Sequence, residues 1–139
     1  MNKTKSYGKS IIILLTSVTF SSSDHDNNNN SSTYFNPPEW IQGTFRQSSD
    51  TNLGVGFQFT DNDFCNIMTN AVQCYNKQLQ SFANVGGIAN VKETITDTQY
   101  SIEITLQSST VYYEFRKISA TKIEWVSVSG NFKLNKQAN

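Results

Sequence analysis

Apolar and polar residues alternate at every second position along much of this chain. In residues 53–60 (LGVGFQFT) the Leu, Val and two Phe residues fall on one side, and Gly, Gln and Thr fall on the other. A period of two indicates a β-strand with one buried face. The run at 61–63 (DND) has turn composition, and the apolar residues 64–68 follow it. The sequence therefore predicts a β-hairpin over residues 53–68.

The same alternation continues through the second half of the chain. It predicts strands at 91–96, 100–106, 111–116, 123–128 and 131–134, separated by short runs rich in Ser, Thr, Asp and Gly. Upstream, Pro37 and Pro38 mark the entry to the fold, and residues 40–45 are the predicted first strand. Short strands joined by tight turns predict an all-β fold, a small antiparallel up-and-down β-barrel of about eight strands.

Residues 69–87 break this alternation. Apolar residues recur here at helical spacing, at Ala71, Val72, Tyr75, Leu79 and Phe82. This spacing predicts one short amphipathic helix near 71–83. Thr69 or Asn70 is the expected N-cap, and Gly86 is the expected end of the helix.

The start of the chain has the order of an export signal. Lysines precede an apolar run at 11–20, and Ser21–Ser23 offer small residues for cleavage. The apolar run is about half the length that a membrane-spanning helix needs, and the alternative is a buried element at the start of a domain. We expect a signal-like leader at 1–23, a disordered Asp/Asn/Ser tether at 24–33 and a folded domain at 34–139.

Charge and histidine content exclude several classes of function. Three of the 11 basic residues lie in the leader, which leaves 8 basic against 11 acidic residues in the remainder. Without a basic excess, a nucleic-acid partner is not expected. His25 is the one histidine and lies in the tether, so the domain lacks the base of a Ser-His-Asp triad and the ligands of a multi-histidine zinc site. We therefore predict no enzyme activity, no cofactor and no metal site.

Acidic residues of the domain have simpler explanations than catalysis or metal binding. Glu103, Glu114 and Glu124 alternate with apolar residues on successive strands, so we expect them to face solvent. Asp61 and Asp63 form a partial calcium-loop pattern without the later ligands, so turn formation explains them.

Cys65 and Cys74 are nine residues apart. In an exported chain one local disulfide is expected, and two free thiols are the alternative. A redox-active pair normally has two intervening residues, which argues against that role. On the predicted helix Cys74 would lie in the first turns, where a disulfide would hold the helix to the preceding strand.

The motif WIQGTF at residues 40–45, opening a run of short antiparallel strands, resembles the lipocalin-like (calycin) domains of exported bacterial proteins. In that family a Gly-x-Trp motif on the first strand closes one end of the barrel, and here Phe45 replaces the Trp. The resemblance implies that Trp40, Gly43 and Phe45 close the barrel. It also implies a basic residue stacked on the closing aromatic, for which Arg116 and then Lys133 are the candidates.

The resemblance implies a non-enzymatic module that binds a small apolar or amphipathic ligand in the barrel. Arg116 would meet a ligand carboxylate if it pointed inward, whereas the simpler interpretation pairs it with Glu114 or Glu103 on the surface. The alternative function is a protein-interaction module, an inhibitor or surface adaptor with a side-chain-filled barrel. The expected lining residues are Val55, Phe57, Phe59, Tyr100, Ile102, Ile104, Tyr113, Phe115, Arg116 and Trp125.

The leader and tether also resemble the start of bacterial outer-membrane lipoproteins. That pattern needs a cysteine after the small residues, and no cysteine precedes Cys65. Membrane association is therefore expected only in a natural form that carries such a cysteine. We expect an exported protein, located in the cell envelope, the periplasm, the cell surface or the medium, with an envelope protein as a candidate partner.

Overall fold

Nine β-strands and one α-helix make up residues 33–48 and 54–138, the part of the chain that this computed structural model describes. The predicted leader at 1–23 and nearly all of the tether lie outside the described residues. A short 3-10 turn at Glu39–Ile41 precedes the first strand. The strands are β1 (Gly43–Gln47), β2 (Gly56–Phe59), β3 (Phe64–Met68), β4 (Ala71–Cys74), β5 (Ala89–Ile95), β6 (Gln99–Leu106), β7 (Ser109–Ser119), β8 (Lys122–Ser127) and β9 (Gly130–Lys136). The helix α1 (Tyr75–Asn84) follows β4 directly.

All strands belong to one antiparallel sheet in the order β4-β3-β2-β1-β9-β8-β7-β6-β5. Strand β1 pairs with both β2 and β9, so the two ends of the described chain meet in the middle of the sheet. The ring of Phe57 on β2 lies 4.9 Å from that of Phe115 on β7 and 5.0 Å from that of Trp125 on β8. Because these strands are not neighbours, the sheet must curl over on itself. The prediction of an all-β antiparallel barrel is confirmed, as a half-barrel open between β4 and β5.

The predicted helix at 71–83 begins four residues too early. Residues 71–74 pair with β3 as strand β4, and the chain reverses at Thr69, whose φ of 56° is the left-handed conformation that tight hairpin turns use. The side chains of Ala71 and Val72 are exposed, so they do not form the buried face of a helix. Cys74 is therefore the last residue of β4 and the N-cap of α1, not a residue of its first turns.

The predicted first strand also begins later than residue 40. The amide of Ile41 donates to the carbonyl of Pro38 at 3.0 Å, which closes the 3-10 turn that contains Trp40 and Ile41. Strand β1 itself starts at Gly43. The turn buries Ile41 completely, so the apolar residues before Gly43 serve the core without joining the sheet.

Residues 34–42, which we call the N-terminal segment, and helix α1 together cover the gap between the edge strands β4 and β5. Helix α1 contacts both β3 and β5. The amide of Tyr34 donates to Oδ1 of Asn76 on α1 at 3.3 Å, and the amide of Asn36 donates to the Glu93 carboxylate on β5 at 3.0 and 3.1 Å. The indole of Trp40 donates to the carbonyl of Thr96 at 3.0 Å. These bonds join residues 34–40 to α1 and to the β5 side of the gap.

Aromatic side chains fill the interior of the half-barrel. The rings with at most 2% of their surface exposed are Phe35, Phe45, Phe57, Phe59, Phe64, Tyr100 and Phe115. Aliphatic residues complete this core, namely Ile41, Leu79, Ile102, Ile104, Ile123 and Leu134. Close packing of this kind leaves little room for a ligand along the axis of the barrel. Helix α1, within the described residues, is too short to cross a membrane.

Candidate binding site at the open end of the half-barrel

One end of the half-barrel carries a cleft of about 200 Å³, which we call the mouth cleft. It lies at the end of the β2–β3 hairpin that is opposite the turn at residues 60–63, and it reaches across to β7 and β8. Its surface is mostly apolar. The residues that line it are Val55, Gly56, Phe57, Asn66, Ile67, Met68, Tyr113 and Trp125.

The walls of the mouth cleft come from the inward-facing positions of four strands. The ring of Phe57 forms its base, 5.0 Å from Trp125 and 6.0 Å from Tyr113, with both rings edge-on to it. Val55 and Met68 form the rim, with 36% and 67% of their surfaces exposed. No charged side chain is among the described residues that line the cleft.

Gly56 permits the close packing of the sheet beneath the rim. A Cβ atom at this position would lie 2.8 Å from the carbonyl oxygen of Phe45 and 2.9 Å from Cγ of Arg46. Arg46 extends along the outer face from there, where its Nη1 donates to the carbonyl of Thr69 at 3.3 Å. The guanidinium therefore lies on the outer surface of the sheet, where it binds the turn between β3 and β4.

A polar cluster of Asn66, Tyr75 and Tyr113 lies at the inner side of the cleft. Nδ2 of Asn66 donates to the hydroxyl of Tyr75 at 2.8 Å and to that of Tyr113 at 3.0 Å, and the two hydroxyl oxygens are 3.1 Å apart. Oδ1 of Asn66 is buried and has no hydrogen-bond partner among the described residues. Burial and the hydrogen bond to Tyr113 raise the pKa of Tyr75, so its phenol stays protonated to more alkaline pH than an exposed tyrosine does.

Gly43 lies at the opposite end of β2, across from Phe59, with Trp40 just before it in the chain, whereas Phe45 stands across from Phe57 and is completely buried. The Phe45 ring packs edge-on to Phe59 at 6.2 Å, and Nζ of Lys136 is 5.7 Å from its centroid. Gly43 has a φ of 129°, and a Cβ there would lie 2.6 Å from Cε of Lys136. Glycine thus leaves space for the lysine that covers the ring.

The prediction that Arg116 or Lys133 stacks on the closing aromatic ring is wrong. Lys136 lies over Phe45, and Nζ of Lys117 lies 5.9 Å from the centroid of Trp40. Lys136 could have been identified from the sequence only through the pairing of β1 with β9, in which it stands opposite Phe45. Because β1 and β9 are far apart in the sequence, no local sequence pattern indicates that they pair.

Arg116 also does not line the barrel. Phe115 faces the core, so Arg116 faces outward, where its Nη2 and Nε lie 2.7 and 2.9 Å from Oε1 of Glu114. About half of the Arg116 side chain is exposed. The simpler sequence interpretation, a surface pair with Glu114, is confirmed and the carboxylate-binding interpretation is wrong.

The other predicted lining residues divide into two groups. Val55, Phe57, Tyr113 and Trp125 line the mouth cleft. The remaining residues are buried in the filled core and do not line the cleft; they are Phe59, Tyr100, Ile102, Ile104 and Phe115. Sequence reasoning missed Asn66, although its position two residues from Phe64 and from Met68 assigns it to the inward face of β3.

A second polar contact, between Tyr100 and Glu93, connects the core to the N-terminal segment. The hydroxyl of Tyr100, which is fully buried, donates to the carboxylate of Glu93. Burial and the neighbouring Glu93 carboxylate raise the pKa of Tyr100. Because the same carboxylate accepts from the amide of Asn36, the contact joins the core to residues 34–42.

The cysteines and Asp63 have structural roles. The sulfur atoms of Cys65 and Cys74 are 2.07 Å apart, at disulfide distance, and the two residues are opposite each other in the β3–β4 register. Asp63 lies near them, but its Oδ1 accepts from the amides of Phe64 and Asn76 at 2.8 Å each. Sulfurs joined in a disulfide are not thiolate ligands, so this group does not make a metal site. The backbone carbonyl of Asp63 also accepts from the amide of Thr60 at 3.0 Å, which closes the predicted turn at 61–63.

Comparisons of the chain with protein-family models, with curated proteins and with solved structures found no match. The resemblance to lipocalin-like domains therefore stays a prediction, and the mouth cleft is the feature that bears on function.

Proposed function

We propose that this chain is a non-enzymatic exported binding module that holds a small apolar or amphipathic ligand in the mouth cleft. The observation that supports this most directly is the cleft lined by Phe57 and Trp125, which is apolar, partly open and bounded by exposed Val55 and Met68. A concave site with apolar walls and a few polar groups is the usual form of a small-molecule site.

The ligand position differs from the sequence expectation, which placed it along the barrel interior. That interior is filled by rings such as Phe59 and Phe115. The cleft of about 200 Å³ is smaller than typical sites for drug-sized molecules, about 300–1,000 Å³. An apolar cavity of about 150 Å³ holds a benzene ring. The proposed ligand, or the part of it that enters, is therefore of single-ring size.

Several features support a role without catalysis. The chain has no histidine after His25, and the polar groups at the cleft are an amide and two phenols. Glu114 is engaged by Arg116 on the outer face, away from the cleft. No nucleophile with a neighbouring base is formed by the residues that line the cleft.

The experiment is ligand-detected NMR, by saturation transfer, on the full chain with toluene as the probe. Val55→Phe places a ring at the rim and should abolish the transfer to toluene. Val72→Phe makes the same change at an exposed valine that does not line the cleft, and should leave the transfer intact. Equal transfer in both variants, or none in the unsubstituted chain, would contradict the proposal.

A protein-interaction module, an inhibitor or surface adaptor, is the second candidate. The filled core favours it, as do the exposed apolar side chains of Met68 and Val111 near the mouth. In this case a defined envelope partner should bind the chain, and Met68→Asp should weaken the complex while Val128→Asp, at an exposed turn, should not. Binding unaffected by Met68→Asp would contradict a role of the mouth in such a complex.

A further inference from the structure

We infer that the mouth cleft selects uncharged ligands that carry one hydrogen-bonding group, such as a single-ring alcohol, phenol or amide, with that group directed to Asn66 and Tyr113. This inference rests on the proposed function and specifies its ligand class. It departs from the carboxylate ligand that an inward Arg116 would have favoured.

The absence of charge in the lining is the first argument. The described residues that line the cleft contain no cation or anion. The two arginines of the neighbouring strands are engaged on the outer face, Arg46 with the carbonyl of Thr69 and Arg116 with Glu114. A carboxylate or ammonium group entering the cleft would lose its hydration without gaining a partner of opposite charge, which costs far more than burying a neutral hydroxyl.

Unused hydrogen-bonding capacity in the polar cluster is the second argument. Oδ1 of Asn66 has no partner among the described residues. The hydroxyls of Tyr75 and Tyr113 share one hydrogen bond, so one of their two protons has no acceptor within the cluster. Rotating the amide by half a turn would let Oδ1 accept from both phenols and would leave Nδ2 with unused protons instead. In either orientation the cluster keeps a polar group without a partner.

A buried polar atom without a partner is uncommon and destabilising, so its presence beside a cleft needs a reason. A ligand hydroxyl donates one hydrogen bond and accepts another, which matches an amide oxygen together with a phenolic proton. Asn66 and Tyr113 both line the cleft, so a polar group at the inner end of a ligand would lie beside their side chains; Oδ1 of Asn66 is itself buried, so the amide must move to receive that group. The ring of such a ligand would pack against Phe57 and Trp125, which are themselves in edge-to-face contact.

The test compares three probes of similar size on the full chain by NMR titration at neutral pH: toluene, benzyl alcohol and benzoate. Benzyl alcohol should bind at least about tenfold more tightly than benzoate, because the carboxylate cannot be paired in the cleft. Asn66→Leu should shift the ratio of the benzyl alcohol and toluene dissociation constants by about 3- to 10-fold toward toluene, the value of one hydrogen bond.

Two further variants complete the design. Gln73→Leu is the matched control, since Gln73 stands opposite Asn66 in the β3–β4 register but is exposed and does not line the cleft; it should leave the ratio unchanged. Tyr113→Phe removes one hydroxyl at no cost in shape, and it replaces Asn66→Leu if that variant fails to fold.

The outcomes separate the inference from the function on which it rests. Toluene binding with an unchanged ratio in Asn66→Leu and Tyr113→Phe would overturn the inference and leave the proposed function standing. Benzoate binding as tight as that of benzyl alcohol would likewise overturn the inference and leave the proposed function standing. If none of the three probes binds at the cleft, the inference and the proposed function fail together.

Discussion

Removal of the Cys65–Cys74 disulfide should destabilise the domain by an amount that the chain-entropy model specifies. The bond joins residues nine apart, and a closed loop of this length restricts the unfolded chain by about 2.6 kcal/mol at room temperature. Small domains are stable by about 5–15 kcal/mol, so the loss would be a large share of the total. The bond also holds β4, an edge strand with a single neighbour, to β3.

The assay is urea unfolding of the oxidised chain, the chain under reducing agent and the Cys65→Ala/Cys74→Ala variant, each extrapolated to zero urea. Reduced and substituted protein should both lose about 2–3 kcal/mol relative to the oxidised chain. Cys65 is buried, so the alanine variant should lose slightly more, through the removal of its packed sulfur. A loss below about 0.5 kcal/mol, or two titratable thiols in the native protein, would refute the reasoning.

Three further predictions test the core, the buried phenols and the outer face. Phe45→Ala should lower the free energy of unfolding by about 3–5 kcal/mol in urea, because the ring is fully buried, and a loss below about 1 kcal/mol would remove Phe45 from the core. The raised pKa values of Tyr75 and Tyr100 mean that the unfolded chain releases these protons first, so stability should fall as pH rises above the ordinary phenol value of 10.0. Tyr100→Phe should flatten this fall in stability, measured by urea unfolding at several alkaline pH values, and an unchanged slope would contradict the assignment. Arg116→Gln should change the free energy of unfolding by less than about 1 kcal/mol, because its partner Glu114 lies with it on the outer face; a larger loss would show that the pair does more than an exposed ion pair does.

Local alternation predicted the parts of the fold that are set by one face of one strand. Phe57 and Phe59 face inward as the period of two in β2 requires, and the hairpin with β3 follows from the turn at 61–63. The start of α1 was missed because Ala71 and Val72 satisfy helical spacing by chance while their backbone pairs with β3. Spacing alone does not show whether apolar residues are buried, and these two are exposed.

The candidate site was harder to predict because its parts come from distant positions. Asn66, Tyr75 and Tyr113 meet only after the sheet curls and α1 covers its gap. The sequence did not show whether Arg116 faces the core or the solvent. Because Phe115 is buried, alternation along β7 puts Arg116 on the outer face. Sequence alternation thus identified half of the cleft, through Val55, Phe57, Tyr113 and Trp125, and missed Asn66 on its polar side.

The most direct test of the account is a two-dimensional amide NMR titration of the isotopically labelled full chain with benzyl alcohol. The account predicts saturable shifts that are largest at residues of the mouth cleft, namely Phe57, Asn66, Met68, Tyr113 and Trp125. Amides on the outer face near Arg116 and at the opposite end of β2, near Gly43 and Phe59, should stay unchanged. Shifts confined to those positions, or no saturable shift at all, would contradict binding at the mouth cleft.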